Sequence, residues 1–225
     1  MRLKKSLLAF VLGQATIGLS LGLFLASFVS AAEGGSVSGT IHVRKAYVET
    51  KGPKSDKDVV VYLEPAVKSA VTAPVPGAKM NQKGLVFVPH VLAIQKGTTV
   101  DFLNEDSVNH NVSSPAACCN FDLGQWGKGV VKNYKFDSAG VAPILCSLHP
   151  EMAATVVVLN TPYFTTASLV TNEAAKKQSA SYSIKGVPAG KYTLKIWNGK
   201  LVATDQMVTV IDGAATKAEI DIHKK

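Results

Sequence analysis

Cysteine is scarce in this chain, with three in 225 residues. Three are too few for a disulfide scaffold, and an odd count in an exported chain calls for another use of at least one thiol. Dense basic clusters are also missing. The formal charge is +8, and Arg2, Lys4 and Lys5 supply three of those positives at the extreme N-terminus. The rest is dispersed, with no block of five or six basic residues, which argues against a nucleic-acid partner. A mildly basic surface of this kind suits an acidic protein or an anionic membrane surface only weakly. The glycine-rich "GQWGKG" (124–129) has neither the spacing nor the strand-to-helix setting of a phosphate loop. No nucleophile elbow and no pair of catalytic carboxylates stands out, so the chain reads as a non-enzyme.

The N-terminus sets the expected compartment. Three basic residues precede an apolar stretch from about Leu7 to Val29, and the small residues Ser30, Ala31 and Ala32 follow it. That is the pattern of a secretory signal, with cleavage expected after Ala32. The apolar stretch approaches the roughly 20 residues that span a bilayer, so an uncleaved anchor is the alternative, and a membrane association would follow only from it. No twin-arginine pair is present, so the chain would be exported unfolded and would receive any metal outside. A periplasmic or otherwise exported protein is expected. The roughly 193 residues after Ala32 suit one large or two small domains.

Beyond the signal the chain alternates short β-branched runs with Gly, Pro, Asn and Asp clusters. "SVSGTIHV" (36–43), "DVVVYLE" (58–64), "GLVFVP" (84–89), "TTVDFLN" (98–104), "VVKNYKF" (130–136) and "ATVVVLN" (154–160) read as strands. So do "SYSIKGV" (181–187), "KYTLKIW" (191–197), "QMVTVI" (206–211) and "AEIDIH" (218–223). Only "SLVTNEAAKKQS" (168–179) reads as a helix or a loop. The expected class is all-β, built as sandwiches. "PAVKSAVTAPVPGAKMNQ" (65–82) reads as a connector and "TPYF" (161–164) as a second joint. These bound a middle domain at 78–160. The flanks, 35–66 and 165–225, each have too few strands to close a sandwich alone. They are expected to combine into one discontinuous sandwich around the middle domain.

The chemistry concentrates in "VAPILCSLHPEM" (141–152), which places Cys146, His149 and Met152 at the spacing C-x2-H-x2-M. A thiol, an imidazole and a thioether are the soft and borderline ligands that copper prefers. A turn alone needs none of them. "FLNEDSVNHNVSS" supplies a further imidazole, His110, directly after an expected strand. Four such side chains in this order and strand setting outweigh the alternative of a buried apolar cysteine with two surface histidines.

The segments "GLVFVPHVLAIQKGTTVDFLNEDSVNHNV" and "YKFDSAGVAPILCSLHPEMAATVVVL" resemble a cupredoxin, the plastocyanin and amicyanin type of blue-copper domain, over about 84–160. The two-residue gap between His149 and Met152 is similar to that of amicyanin. The resemblance implies a Greek-key sandwich holding one type 1 copper per chain. His110, Cys146 and His149 would be the trigonal ligands and Met152 the long axial one. It also implies that Asn111 ties the ligand loops together by hydrogen bonds. His149 would be the partly exposed electron port, with Leu148 and Pro150 as an apolar rim and Glu151 as an unusual carboxylate beside it.

Other candidates read as bland. His90 sits at a strand end, and His42 and His223 lie in or beside flanking strands, all expected at the surface. Met80 falls in the connector, and Met207 is expected to alternate into a strand core. No Met-rich or His-rich tract suggests a copper store, and no His-x-His pairs suggest a multicopper oxidase. Cys118 and Cys119 are adjacent. Consecutive α-carbons lie about 3.8 Å apart, closer than the 4.4–6.8 Å that ordinary disulfides span. A distorted vicinal bridge, free or intermolecular thiols, and a second copper point all stay open for them. The stretch "GVPAGKYTLKI", with "GSVSGTIHV", "DVVVYLE" and the late "VTV" and "IDI", resembles an Ig-like or prealbumin-like domain found beside carboxypeptidases. The whole arrangement resembles exported plastocyanin-like proteins labelled methylamine-utilisation proteins. The expected function is single-electron transfer between redox partner proteins. The alternative is a copper carrier or resistance protein that delivers copper without redox change. A cupredoxin fold that has lost its metal is the third reading.

Overall fold

The computed structural model describes residues 34–44, 57–67, 73–74, 76–175 and 177–225. The expected signal at 1–32 and part of the connector at 65–82 lie outside the described residues. Among the described residues every named element is a strand, and no helix is long and apolar enough to cross a membrane. The chain is all-β.

Two layered β-structures share the fold. In the first, Gly35–Val43 runs antiparallel to Lys177–Val187 and parallel to Ile220–Lys224 and Ala215–Lys217. Across from it, Asp58–Pro65 pairs antiparallel with both Phe164–Ser168 and Gly190–Trp197, and Gln206–Val210 closes that sheet. Early strands thus pair with late ones, and neither set could cover its apolar face alone. Val37, Ile41, Val59, Val61, Leu63, Ile184 and Leu194 meet between the two sheets in one apolar cluster. Each such side chain, fully buried, contributes roughly 1.5–3 kcal/mol.

The second structure is built from the middle of the chain. One sheet runs in the order Val91–Gln95, Ala153–Leu159, Gly140–Leu145, His110–Ala116, Cys119–Trp126. The other runs Val131–Lys135, Thr99–Leu103, Ala78–Lys79. Spatial order departs from chain order through crossing connections of the Greek-key kind. Phe102, Phe136, Val112, Ile144 and Val156 fill the space between.

The valine runs in the sequence mark where the two structures touch. In Asp58–Pro65, Val59, Val61 and Leu63 face one core, while Val60 packs with Val91, Val157 and Leu159 in a separate cluster. In Ala153–Leu159, Ala154, Val156 and Val158 face the other core and Val157 faces the seam. A strand covered on both faces loses its polar alternation and reads as a continuous apolar run. The seam therefore explains "DVVVYLE" and "ATVVVLN".

Several local expectations are corrected. Residues 84–89 are not one strand. Asn81–Gln82 and Phe87–Val88 form a hairpin, and Gly84 and Leu85 at its tip have φ of 66° and 59°. Positive φ at both central residues is the demand of a tight hairpin turn. Among the described residues of 168–179 there is no helix; Val170–Asn172 and the start of Lys177–Val187 pair as strands. Met80 is fully buried in the middle core rather than idle in a connector, and Met207 is exposed rather than inward. In that strand Val208 and Val210 take the core side, so Met207 must point outward.

Candidate metal centre

Three strand ends and one loop build the site. His110 opens the strand His110–Ala116, and Cys146 directly follows Gly140–Leu145. These strands are neighbours, with Leu145 opposite Ser113. Residues 146–152 loop over to Ala153–Leu159, closed by the pairing of Leu145 with Ala153. The Met152 N–H donates to the His149 carbonyl at 2.9 Å, which tightens the loop.

The side chains converge. The Nδ1 atoms of His110 and His149 lie 3.1 Å apart, and Cys146 Sγ is 3.7 Å from His149 Nδ1. One donor atom from each of the three lies within 4.8 Å of those of the other two. His110, Cys146 and Met152 are buried, whereas His149 is half-buried and Leu148, Pro150 and Glu151 are exposed. Met152 belongs to the same apolar cluster as Cys146. The donor set fits copper, because a thiol and two imidazoles beside a buried thioether are ligands suited to both of its common oxidation states.

A carboxylate that sequence reasoning missed sets the orientation of His110. Asp106 Oδ2 lies 2.9 Å from His110 Nε2. The same carboxylate accepts the N–H groups of Gly84 at 2.7 Å and Leu85 at 3.0 Å. Burial pushes its pKa up, but those two N–H groups and the His110 ring outweigh that and hold it below the ordinary value. The Asp106 carboxylate occupies Nε2, which leaves Nδ1 as the ring nitrogen turned toward His149. The available signal was a carboxylate four residues before the histidine.

Asn111 joins three segments. Its N–H points to Cys146 Sγ at 3.5 Å, and its Oδ1 accepts the Ser147 N–H at 3.1 Å. Its Nδ2 donates to Asp122 Oδ1 at 2.7 Å and to the Gly124 carbonyl at 3.1 Å. The tying role implied by the resemblance is therefore visible as hydrogen bonds. The remaining sequence candidates stay apart: His42 and His223 are exposed in the flanking strands and His90 is half-buried at a strand edge.

Residues 76–159 match the family of copper binding proteins of the plastocyanin/azurin type. This segment is a cupredoxin domain. Its family binds copper, and His110, Cys146 and His149 form a group able to hold one ion per chain. Among solved structures, a purple cupredoxin from Nitrosopumilus maritimus is 27% identical, with 37% of this chain and 100% of that chain covered and a TM-score of 0.34. An amicyanin variant in its reduced Cu(I) form is 22% identical over 39% of this chain and 92% of that one, with a TM-score of 0.36. A copper-containing nitrite reductase from Thermus scotoductus SA-01 is 29% identical at a TM-score of 0.36, but the match spans 43% of this chain and only 25% of the enzyme. No curated protein matches the chain.

Proposed function

We propose that this is an exported type 1 copper protein that carries single electrons between redox partner proteins. His110 Nδ1, Cys146 Sγ and His149 Nδ1 would hold the copper, with the Met152 thioether as a further donor. The observation that carries the reading is the convergence of those three donor atoms while Asp106 occupies the far nitrogen of His110. Bound there, copper supplies a one-electron couple. The chain's own residues do the rest. Asp106 and Asn111 hold a ligand and its loop in place, so little rearrangement accompanies a change of charge. Met152 and the apolar core keep water from the buried side. The half-buried His149, beside the exposed Leu148, is the edge through which a partner would exchange the electron.

The copper-delivery alternative leaned on Cys118 and Cys119. Cys119 pairs with Ala116, six residues along the hairpin from His110. At about 3.4 Å per residue that is about 20 Å, too far for a shared site, so electron transfer is the better-supported role. The domain division goes with this proposal: a copper domain at 78–160 set between 35–66 and 165–225, supported by the early-to-late strand pairing of the flanks. The arrangement fits an electron carrier rather than a catalyst.

The test is a copper(II) titration of the exported protein with its thiols kept reduced. An intense visible charge-transfer band saturating at one copper per chain is expected, lost in Cys146→Ser. A band that survives this substitution, or copper bound without colour, would overturn the assignment.

A further inference from the structure

The hairpin that carries His110 at one end carries two more sulfur atoms at the other. His110–Ala116 turns into Cys119–Trp126 through Ala117 and Cys118, with Ala116 opposite Cys119. Successive side chains of a strand point to opposite faces. Here the turn swings Cys118 back, so that its Sγ lies 2.9 Å from Cys119 Sγ. Cys119 is buried in the cupredoxin core, whereas Cys118 is half-buried beside the exposed Ala117. The neighbouring strand makes room for this. A Cβ on Gly140 would come within 2.9 Å of both Cβ and Sγ of Cys118, so only glycine admits the side chain there.

The separation discriminates between two uses of a thiol pair. Metal–thiolate bonds are about 2.3 Å, as in zinc sites, so two sulfurs 2.9 Å apart would subtend only about 80° at a shared ion. Opening that angle would force the sulfurs apart, with Cys118 already against Gly140. A covalent S–S bond, by contrast, needs them to close by less than about 1 Å, to about 2.05 Å. Adjacent cysteines also make a bridge with α-carbons closer than usual, which favours ready reduction over permanence. Cys119 is the slower thiol of the pair. Burial, with Cys118 alongside, pushes its pKa up to about 12. Cys118 is the accessible one.

We propose that Cys118 and Cys119 are a second redox site, a vicinal dithiol that exchanges two electrons with a disulfide-bearing thiol partner, independently of the copper ligands. The Cys118 thiolate attacks one sulfur of the partner disulfide, forming a mixed disulfide and releasing one partner thiolate. Cys119 then gives up its proton and attacks Cys118 Sγ, breaking the mixed disulfide and releasing the second thiolate. Two cysteine thiols are oxidised and one partner disulfide is reduced to two thiols, which carry the two protons away. The reverse sequence reopens the bridge.

The experiment equilibrates the full chain with mixtures of glutathione and its disulfide, quenches with acid, alkylates, and reads intact and peptide masses. At the reducing end three alkyl groups are expected. At the oxidising end the monomer should carry one, on Cys146, and the peptide spanning Cys118 and Cys119 should be lighter by two hydrogens. Cys119→Ser should stop at a single glutathione adduct on Cys118, and Cys146→Ser should leave the bridge unchanged. Three alkyl groups at every ratio, a disulfide-linked dimer, a persistent adduct on the native pair or a bridge involving Cys146 would each overturn the proposal. The readout is mass rather than colour, so failure here is distinct from failure of the copper reading.

Discussion

The two cores of this chain treat polar groups differently. Among the described residues, the polar side chains buried in the flanking core are engaged. The Tyr182 hydroxyl donates to the Ala218 carbonyl at 2.7 Å, and the Tyr192 hydroxyl donates to that of Pro188 at 2.9 Å. The buried amide of Asn198 donates to the Asp58 carbonyl and accepts from the N–H groups of Lys200 and Leu201. The cupredoxin core buries Gln82, Asn104, His110 and Asn111, and both polar atoms of the Gln82 side chain lack a hydrogen-bond partner. An unpartnered buried amide costs about 1–3 kcal/mol. The flanking core ties these polar groups to its own backbone, while the cupredoxin core buries His110 and Asn111 where the ligands converge.

The largest effect that separates the two should come from the flanking core. Leu63 is fully buried there, and Leu63→Ala should cost about 2–5 kcal/mol of unfolding free energy. The visible band of the folded, copper-loaded fraction should not move. Urea unfolding followed by fluorescence, with absorption in parallel, checks both. A shifted band would mean that the cores are not functionally separate. Asn111→Ala comes next, at about 1–3 kcal/mol, because it strips partners from Asp122 and the Ser147 N–H. Unlike Leu63→Ala it should also alter the band, since the N–H at Cys146 Sγ belongs to the segment that Asn111 anchors.

A smaller effect tests the turn that supports Asp106. Leu85 is a non-glycine residue with φ of 59°, exposed, and its N–H donates to Asp106. Such a conformation costs of order 1–3 kcal/mol, while glycine loses roughly 0.5–1 kcal/mol of chain entropy on being ordered. Leu85→Gly should therefore be neutral or stabilising by up to about 2.5 kcal/mol in thermal unfolding, with the backbone donor retained. A clear loss of stability would show that the leucine side chain, rather than the turn, supports the site.

What the sequence showed of this arrangement, and what it hid, follows from how far apart the partners are. The ligand loop was legible because Cys146, His149 and Met152 fall within one seven-residue stretch, and His110 stands beside a strongly β-branched strand. In the flanking core, Lys177–Val187 and Gly190–Trp197 were legible from their alternation, whereas Asp58–Pro65 showed as an apolar run and Phe164–Ser168 was not read as a strand. Asp106 was not legible as a partner of His110, because its role depends on a hairpin tip at Gly84 and Leu85 that reads locally as a continuous apolar strand. Met80 was hidden for a similar reason: two-residue strands on either side of it give no periodicity. The side taken by Met207 could not be read either, since "QMVTVI" has apolar residues at both parities and only packing against Gly190–Trp197 decides the register.

The smallest expected effect sharpens the comparison through pH and salt. Asp122, on the cupredoxin side, is held below the ordinary carboxyl value first by the Gly124 N–H and then by the Asn111 amide, against the opposing push of burial. Asp221, on the flanking side, is held down mainly by its hydrogen bond and charge pairing with Arg44, 2.6 Å away. In both cases the unfolded chain takes up the proton first as the pH falls. Each contribution is therefore complete above about pH 4 and is lost as the pH drops through the folded value. Asp122→Asn and Asp221→Asn should each flatten the acid limb of the stability curve, measured by urea unfolding of the copper-free protein between about pH 6 and 3. Salt then separates them. An exposed ion pair is largely screened at about 1 M salt, whereas fixed N–H donors are not removed by it. The Asp221 difference should fade in high salt and the Asp122 difference should persist. If both fade together, Asp122 is responding to Lys132 and the general field rather than to the backbone that shapes the ligand loops.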